Sequence, residues 1–517
     1  MAKDILKEIV ERRLEDIRKK GIEFAFNIPE KRKRKIHPFI PSHGVILEIK
    51  RASPSKGDIA PDLDSAKTAR SYCQAGANAI SCLTETNYFK GSLQDLMNVC
   101  NEVDSFEKES GKTGPAVLRK DFLLDEKEIE VSYRAGADAV LLIARILSKE
   151  KILKMAKKAE ELGISVLLEV RKEDDLEKLE YIMQNVNHKY ILCGVNSRDL
   201  KTFSIDMLYP AKYLNRIRSI SPDARVTFES GLLSAQACRK VRSMGFNAIL
   251  LGEAASKEPE KARDFTEAFN NAKESANGKF FLSLCQNKFS ENNQSKNPLI
   301  KICGITNTAD AEKAVACGAD FLGFVMWHKS KRCIEKKEVI NIVKQIDEYC
   351  KNNKISRKIF KTAVVVEKDL PETKDAIELI SEGILDCLQL HSYELSKTFA
   401  EDPELSEIPH YCAVNINSES DIEKLDSLNK LGEARILIDA QTESEIGGTG
   451  KRINEELLYA ISKKYKLWIA GGINSENVTS IIEKHSPEFL DLSSSIEIKP
   501  GIKDNVKIEE FFNALKR

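Results

Sequence analysis

The sequence of 517 residues lacks the uninterrupted apolar run of about 18 residues that a membrane-spanning helix requires. Its N-terminal stretch, MAKDILKEIVERRLEDIRKK, is charged throughout and lacks the apolar core of a secretory signal. Two absences follow as expectations: no contact with a membrane and no export signal.

Charge of one sign is not in excess either, because Lys+Arg and Asp+Glu both number 80. General nucleic-acid binders usually carry a basic surplus, so we predict no nucleic-acid partner. The basic run KRKRK at 31–35 is surrounded by acidic residues, and we expect it to form a solvated surface between a helix and a loop.

The 12 cysteines are scattered and form no C-x-x-C pair, which argues against a zinc cluster. In a chain of this length the pattern indicates reduced, mostly buried thiols and a cytoplasmic location.

What the sequence does have is a repeated alternation of short apolar runs and amphipathic stretches. Continuous apolar runs are typical of strands buried on both faces, and eight strand–helix units predict a closed parallel barrel. The pattern occurs twice, so we predict two tandem (β/α)₈ barrels. The expected layout is a helical extension over 1–44 within a first domain of 1–265, a linker of helix and polar chain over 266–298, and a second barrel over 299–517. The runs are VILEI, AISCL, AVLRK, AVLLIA, SVLLEV, ILCGV, VTFES and AILLG, then LIKICGI, FLGFV, TAVVV, CLQLH, CAVNI, ILIDA, LWIAGGI and FLDLSSS.

Small residues follow two late strands in each half. The carboxyl ends of such strands bind phosphate in many barrels, through backbone N–H groups that only small residues leave accessible. One such turn is ordinary loop geometry, but four in matching positions favour two phosphate sites. The residues concerned are Ser230, Gly231 and Gly252 in the first half, and Gly471, Gly472, Ser493 and Ser494 in the second.

Polar residues end several apolar runs of the first half, where the strands of a barrel converge on one mouth. A buried charge is costly unless it is paired or functional, so a set of them indicates a catalytic cluster. The set is Glu48, Lys50, Lys120, Glu169, Asn196 and Glu229.

The segments that carry these residues resemble indole-3-glycerol-phosphate synthase over about residues 1–265. The shared motifs are ExKxxSPSKG at 48–57, LRKDF at 118–122, LLEV at 167–170, NxRDL at 196–200, ESG at 229–231 and LGE at 251–253. The resemblance implies that a carboxyphenylamino-deoxyribulose phosphate is closed to an indole, with loss of CO₂ and water.

That chemistry suggests a role for each polar residue. An ammonium must protonate the ketone oxygen, and Lys120 is the first candidate and Lys50 the second. Glu169 with either lysine supplies the acid–base pair that removes the hydroxyl, while Glu48 and Glu229 tune their pKa values. Asn196 orients the departing hydroxyl, Arg198 binds the anthranilate carboxylate, and Ser53 helps to hold the same ring.

The second half resembles phosphoribosylanthranilate isomerase over about residues 299–517. The shared features are KICGIT, the SKR loop, QLH at 389–391, IDA followed by GGTGK, AGGI, and the DLSSSIE…PGIKD tail. The resemblance implies an Amadori rearrangement with Asp439 as general acid and Cys303 as general base. Arg332 would bind the anthranilate carboxylate, and Gly448 joins the substrate-binding glycines. Two departures, Ser392 after the QLH histidine and AVVV in the third strand, affect local loop shape only.

Two alternatives stay open at this point. Barrel isomerases of histidine biosynthesis favour Asp at both key strand ends, and Cys303 argues against them. A degenerate barrel that serves as a scaffold or sensor would lack the acid and base candidates found in both halves. We expect small phosphosugar–anthranilate substrates and neither metal nor organic cofactor; the sequence leaves the oligomeric state open, a monomer being compatible with it.

Overall fold

The computed structural model describes residues 5–199, 204–289, 297–439 and 455–515. The chain divides into two compact units, Met1–Glu274 and Ser275–Arg517, and each contains one closed barrel of eight parallel strands. The predicted fold class is therefore confirmed.

The first barrel is built from the eight apolar runs predicted to be strands. Its strands pair in sequence order and the eighth closes on the first, with Val45 opposite Ile249. The strands are β1 Gly44–Ile49, β2 Ala79–Leu83, β3 Ala116–Lys120, β4 Ala139–Ile143, β5 Ser165–Val170, β6 Ile191–Asn196, β7 Val226–Glu229 and β8 Ala248–Leu251. The helices are α1 Ile5–Lys20, α2 Ser65–Gln74, α3 Leu93–Ser110, α4 Glu126–Arg134, α5 Lys149–Glu161, α6 Glu173–Met183, α7 Tyr209–Ile220, α8 Ala235–Ser243, α9 Glu253–Lys257 and α10 Ala262–Asn271.

The second barrel repeats this order, and Leu299 lies opposite Phe489 where it closes. Its strands are β9 Leu299–Cys303, β10 Phe321–Val325, β11 Phe360–Val365, β12 Cys387–Leu390, β13 His410–Asn415, β14 Ile436–Asp439, β15 Trp468–Ala470 and β16 Phe489–Leu492. Its helices are α11 Ala276–Phe289, α12 Thr308–Cys317, α13 Lys336–Asn352, α14 Pro371–Ser381, α15 Tyr393–Glu401, α16 Ile422–Lys430, α17 Glu455–Ser462, α18 Val478–His485 and α19 Asn505–Leu515.

The strands form because their apolar side chains are buried both inside the barrel and beneath the helices. Strand β4 is buried along its whole length, as is β9. Many helices start at a residue whose side chain accepts a hydrogen bond from the first turn, for example Ser148 from Lys151 N at 3.3 Å. The alternation thus places the carboxyl end of every strand at one mouth per barrel.

The basic run at 31–35 departs from the expectation of a solvated surface. Arg32 and Arg34 have nearly buried side chains, and both pair with the fully buried Asp138, at 2.5 and 2.9 Å. Alternate residues of the run therefore dock the N-terminal extension on the barrel, while Lys31, Lys33 and Lys35 remain exposed. Helix α1 is held similarly, because the buried Arg13 pairs with Asp121 at 3.0 Å.

The segment expected to be a linker, 266–298, carries more regular structure than the sequence pattern indicated. Helix α10 buries Phe265 and Phe269 and packs on α8 and β1, so it belongs to the first unit. Helix α11 lies in the second unit, where the Phe280 ring meets the Phe360 ring edge-on at 5.9 Å.

The twelve cysteines all lie within the described residues; none forms a disulfide and nine are buried, as predicted. Within the described part of the chain, no helix is long and apolar enough to cross a membrane.

Candidate active sites

Lys120 ends β3 at the mouth of the first barrel and lies between two carboxylates. Its Nζ is 3.2 Å from Glu48 Oε2 and 3.3 Å from Glu229 Oε2. Although burial opposes the charge, Glu48 and Glu229 raise the pKa of Lys120. The ammonium is thus held protonated and oriented, as a proton donor in a defined position must be.

Lys50 shares one of these carboxylates but sits in a different environment. Its Nζ lies 3.5 Å from Glu48 Oε1 and 5.4 Å from the centre of the Phe89 ring. Burial lowers the pKa of Lys50, and the positive charges of Lys120 and Arg198 add to this effect. The two lysines therefore differ in proton affinity, and Lys50 gives up its proton more readily.

The carboxylates of this mouth are also differentiated. Burial and the charge of Glu229 raise the pKa of Glu169 to about 7. Burial likewise raises the pKa of Glu229, whereas Lys120 and Lys50 overcome burial and lower the pKa of Glu48. Acid and base roles are set by such separation of pKa values within one site.

The remaining polar candidates lie at a strand end or on loops around the same mouth. Asn196 ends β6, and its Oδ1 accepts a hydrogen bond from Arg198 N at 3.0 Å. Arg171, which the sequence analysis missed, fixes this loop by donating to Asn196 O at 3.1 Å and pairing with Asp199 at 3.0 Å. Ser53 lies in a short hairpin, where its Oγ is 3.4 Å from Ser55 Oγ.

Small residues are needed at the mouth of the first barrel for two different structural reasons. Ser230 and Gly231 both adopt positive φ, at 71° and 80°, directly after β7. At Gly252, by contrast, an added Cβ would lie 2.6 Å from Glu48 Oε1. Gly252 therefore leaves space for the carboxylate that holds both lysines, a role that the sequence analysis did not assign.

One cavity at the mouth of the second barrel brings together most of the residues predicted for it. It is lined by Cys303, Asp439 and Arg332, by Gly471 and Gly472, and by Ser493 and Ser494. Gly471 and Gly472 have φ of 91° and 64°, in the region that favours glycine. Gly448 lies outside the described residues.

Five further residues of this barrel form a polar network, and the sequence analysis assigned a role to none of them. The fully buried Lys301 donates to Asp491 Oδ2 at 2.7 Å and to Gln389 Oε1 at 2.5 Å. Gln389 Oε1 also accepts from Tyr411 at 2.8 Å, and its Nε2 lies 3.0 Å from His391 Nδ1.

The network fixes the state of His391. Because two donors hold the amide oxygen of Gln389, its NH₂ donates to Nδ1 and leaves the proton on Nε2. Burial and the Lys301 charge lower the pKa of His391 to about 4, so the ring is neutral near pH 7. Its Nε2 lies 3.9 Å from Asp439 Oδ2, too far for a hydrogen bond.

Arg332 was predicted to bind a carboxylate, and it already lies beside one from the protein. Its Nη2 is 2.7 Å from Glu497 Oε2, and its Nε is 2.9 Å from Glu497 Oε1. Glu497 also pairs with the buried Lys503 at 2.8 Å. These contacts fix the direction of the guanidinium at the edge of the cavity.

The two departures from the family pattern have local explanations. Ser392 directly precedes α15, where its Oγ accepts from Leu395 N at 3.2 Å, so a serine serves as helix cap there. Val364 and Val366, from the AVVV run, contribute apolar wall to the cavity.

A signal for the missed residues was present in the sequence. Lys301 is a single charge within an apolar run, two residues before Cys303, and therefore points to the same side of the strand. Asp491 stands in the same relation to Ser493. Charged residues inside strands, and not only at their ends, are the feature to search for.

Parallel barrels with acid–base groups gathered at the mouth define the chain as a pair of (β/α)₈ enzyme domains. Residues 6–268 match the family model of indole-3-glycerol phosphate synthase, and residues 300–514 match that of N-(5'phosphoribosyl)anthranilate (PRA) isomerase. The chain therefore belongs to the indole-3-glycerol phosphate synthase family in its N-terminal half and to the PRA isomerase family in its C-terminal half. In that order it is a bifunctional enzyme of tryptophan biosynthesis.

Relatives that match most of this chain are named for tryptophan biosynthesis. The multifunctional tryptophan biosynthesis protein of Schizosaccharomyces pombe is 30% identical over 91% of this chain, which spans 59% of that protein. The tryptophan biosynthesis protein TRP1 of Phytophthora nicotianae is 30% identical, with 87% of each chain covered. The tryptophan biosynthesis protein TrpCF of Helicobacter pylori is 28% identical, with 91% of this chain and 89% of that protein covered.

Proposed function

We propose that the C-terminal unit converts N-(5-phosphoribosyl)anthranilate to 1-(2-carboxyphenylamino)-1-deoxyribulose 5-phosphate, and that the N-terminal unit closes this product to indole-3-glycerol phosphate. The observation that carries the proposal is the set of polar side chains gathered at the mouth of each barrel. Lys120 lies between two carboxylates in one, and Cys303 shares a cavity with Asp439 in the other.

In the isomerase unit, Asp439 donates a proton to the furanose ring oxygen and the ring opens to an iminium. Cys303, as thiolate, removes the C2′ proton, and the resulting enolamine becomes the ketone. The strands that end in these residues, β9 and β14, are separated by two strands on one side of the barrel and four on the other. The acid and the base therefore approach the sugar from different directions.

Substrate binding uses the rest of the same cavity. Arg332 binds the anthranilate carboxylate, and the turns at Gly471–Gly472 and Ser493–Ser494 hold the phosphate through backbone N–H groups. Gly448 takes part in the same substrate site.

In the synthase unit, the ring carbon that bears the carboxylate attacks the C2′ ketone, and an ammonium protonates the ketone oxygen. Lys120 is the first candidate for this proton donor because its charge is held by Glu48 and Glu229; Lys50 is the second. Loss of CO₂ restores the aromatic ring. Loss of the hydroxyl with a C1′ proton then completes the indole, with Glu169 as base and a lysine as acid.

The groups around this centre hold the substrate. Arg198 and Ser53 contact the anthranilate end, Asn196 orients the hydroxyl, and Ser230, Gly231 and Gly252 line the phosphate end. For Gly252 this role adds to the space that it leaves for Glu48.

The test supplies phosphoribosylanthranilate, generated in situ, to the purified full chain and follows indole-3-glycerol phosphate. Lys120→Ala should accumulate the carboxyphenylamino-deoxyribulose phosphate. Cys303→Ser should leave the first substrate unconverted but still cyclise the intermediate when it is added directly. Loss of both activities in either folded variant would contradict two independent sites.

A further inference from the structure

We propose that Lys301 is a positioning residue that supplies the countercharge for the thiolate of Cys303. This inference rests on the proposed role of Cys303 as base. A buried thiol is a poor base unless a positive charge stabilises its ionised form, and the structure places the Lys301 side chain beside it.

The geometry that brings the two side chains together is set by β9 and β10. Lys301 and Cys303 are two residues apart on β9, so both side chains point into the barrel. Gly323, paired with Cys303 on β10, lies against both: the point where a Cβ would stand is 2.8 Å from Cys303 Sγ and 2.8 Å from Lys301 Cε. The absence of a side chain at Gly323 thus lets the lysine chain pass beside the sulfur.

Lys301 cannot itself be the base. It is fully buried, and although burial opposes its charge, Asp491 and Cys303 raise the pKa of Lys301 well above its ordinary value. The ammonium therefore remains protonated, and the proton lost by Cys303 leaves through the mouth.

Other charged groups also face the Cys303 thiol. The sign of each charge determines whether its removal should raise or lower the pKa of Cys303. Burial raises the pKa of Cys303; Lys301 and Lys503 lower it, and Asp491 raises it. Among the residues that the structure describes, the titratable and charged groups that interact with Cys303 or line the cavity are Lys301 on β9, Asp491 on β16, Lys503 near the C-terminus, Arg332 after β10, Tyr411 on β13, His391 after β12 and Asp439 on β14. Lys301 and Asp491 therefore have opposite effects and give predictions of opposite sign.

The experiment measures the pH dependence of alkylation at Cys303 in the full chain. Iodoacetamide is used as the probe, and the peptide that contains Cys303 is quantified by mass spectrometry, which separates it from the other cysteines. Lys301→Met should move the alkylation midpoint upward by about 1–3 pH units. The ascending limb of isomerase kcat/KM should move with it, lowering activity near pH 7 by about 10-fold or more.

Asp491→Asn should move the midpoint downward, since it removes a negative charge from the same site. Tyr411→Phe is the matched control, because it removes a hydrogen bond to Gln389 without removing a charge, and the midpoint should stay in place. An unchanged midpoint in folded Lys301→Met would overturn the proposal. If that variant does not fold, an unchanged or raised midpoint in Asp491→Asn would overturn it instead.

The experiment distinguishes an error in the proposed role of Lys301 from an error in the assignment of Cys303 as the base. If Cys303→Ser is inactive but the Lys301→Met midpoint does not move, only the countercharge is wrong. If Cys303→Ser keeps its isomerase kcat, the base assignment is wrong, and the role of Lys301 in catalysis falls with it.

Discussion

The α-carbon of Gly252 faces the carboxylate of Glu48 so closely that a Cβ would lie 2.6 Å from Oε1. Glu48 is buried and contacts both lysines of the synthase mouth. Gly252→Ala should therefore displace Glu48 and lower synthase kcat by about 10-fold or more, since misplaced catalytic groups lose orientation. Steady-state kinetics with the synthase substrate measure this.

Gly231→Ala provides the comparison, because φ there is 80° and an added Cβ would meet Ile205, not a catalytic carboxylate. Its main effect should be a raised KM through distortion of the phosphate turn. A Gly252→Ala variant that changes KM alone would assign Gly252 to phosphate binding and not to the support of Glu48.

The buried ion pairs of the N-terminal extension lead to a stability prediction. Asp138→Asn leaves the nearly buried guanidinium groups of Arg32 and Arg34 without their shared carboxylate. Breaking a buried pair in this way costs on the order of 3–5 kcal/mol. Urea unfolding followed by synthase activity should show that loss. Asp104→Asn is the matched control: its more exposed carboxylate also pairs with Arg34, at 2.9 Å, and its loss should cost about 1 kcal/mol or less.

The pH dependence of this contribution has a defined sign. Burial opposes the charge, but His37, Arg34 and Arg32 lower the pKa of Asp138 below its ordinary value. The stabilisation is therefore present above the unfolded-state pKa of about 4 and is lost as the pH falls through the lower native value. An Asp138→Asn variant that is as stable as the parent near pH 7 would contradict this account.

The sequence predicted the sixteen barrel strands because continuous apolar runs report burial directly. It could not predict which polar side chains would pair. Arg32 and Arg34 looked like part of a solvated run because their partner, Asp138, is about a hundred residues away in the chain. Gly252 looked like a phosphate-turn glycine because the carboxylate that it accommodates comes from β1.

Candidate site residues at strand ends were predictable because a barrel brings all carboxyl ends to one mouth. The partners within the Lys301 network were not predictable, although Lys301 and Asp491 stand out as charges inside strands, because the hydrogen bonds link β9, β12, β13 and β16 inside the barrel. Side-chain contacts between distant strands depend on register, which sequence patterns of single strands do not contain.

The raised pKa of Glu169 leads to a prediction for synthase activity. Burial and Glu229 raise this pKa to about 7. A base works only when deprotonated, so kcat/KM should rise between about pH 6 and about pH 8. Glu169→Gln should remove this limb and lower kcat by about 10²–10⁴-fold. Persistence of the limb in the glutamine variant would assign it to another group.

The raised pKa of Glu169 affects stability in the opposite direction from activity. As the pH rises, synthase activity increases whereas the stability of the fold decreases. A native pKa of about 7, against about 4.3 in the unfolded chain, means that the native state binds this proton more tightly. Stability therefore falls as the pH rises from about 4 to about 7, and Glu169→Gln removes that loss. Because Glu169 is partly exposed, the gain should be on the order of 1 kcal/mol at pH 8 and smaller at pH 5. Thermal unfolding at the two pH values measures it.

The turn after β15 gives the most direct test of the isomerase phosphate site. Gly472 has φ of 64°, and it lines the cavity together with Gly471 and the serines that follow β16. Gly472→Asp would place a negative charge where the phosphate is proposed to bind. The isomerase KM should rise strongly and kcat should fall less, because a phosphate contact that is present in both the ground state and the transition state mainly sets KM.

Gly472→Asn separates charge from backbone strain. Asparagine and aspartate have nearly the same shape, and both tolerate positive φ better than most residues, so both variants carry a similar backbone cost. Only the aspartate repels an anion. If phosphate binds here, the aspartate variant should have a KM about 10-fold or more above that of the asparagine variant, and added salt should reduce the difference. Equal KM values in the two variants would show that the phosphate binds elsewhere, and that the glycine serves only the turn.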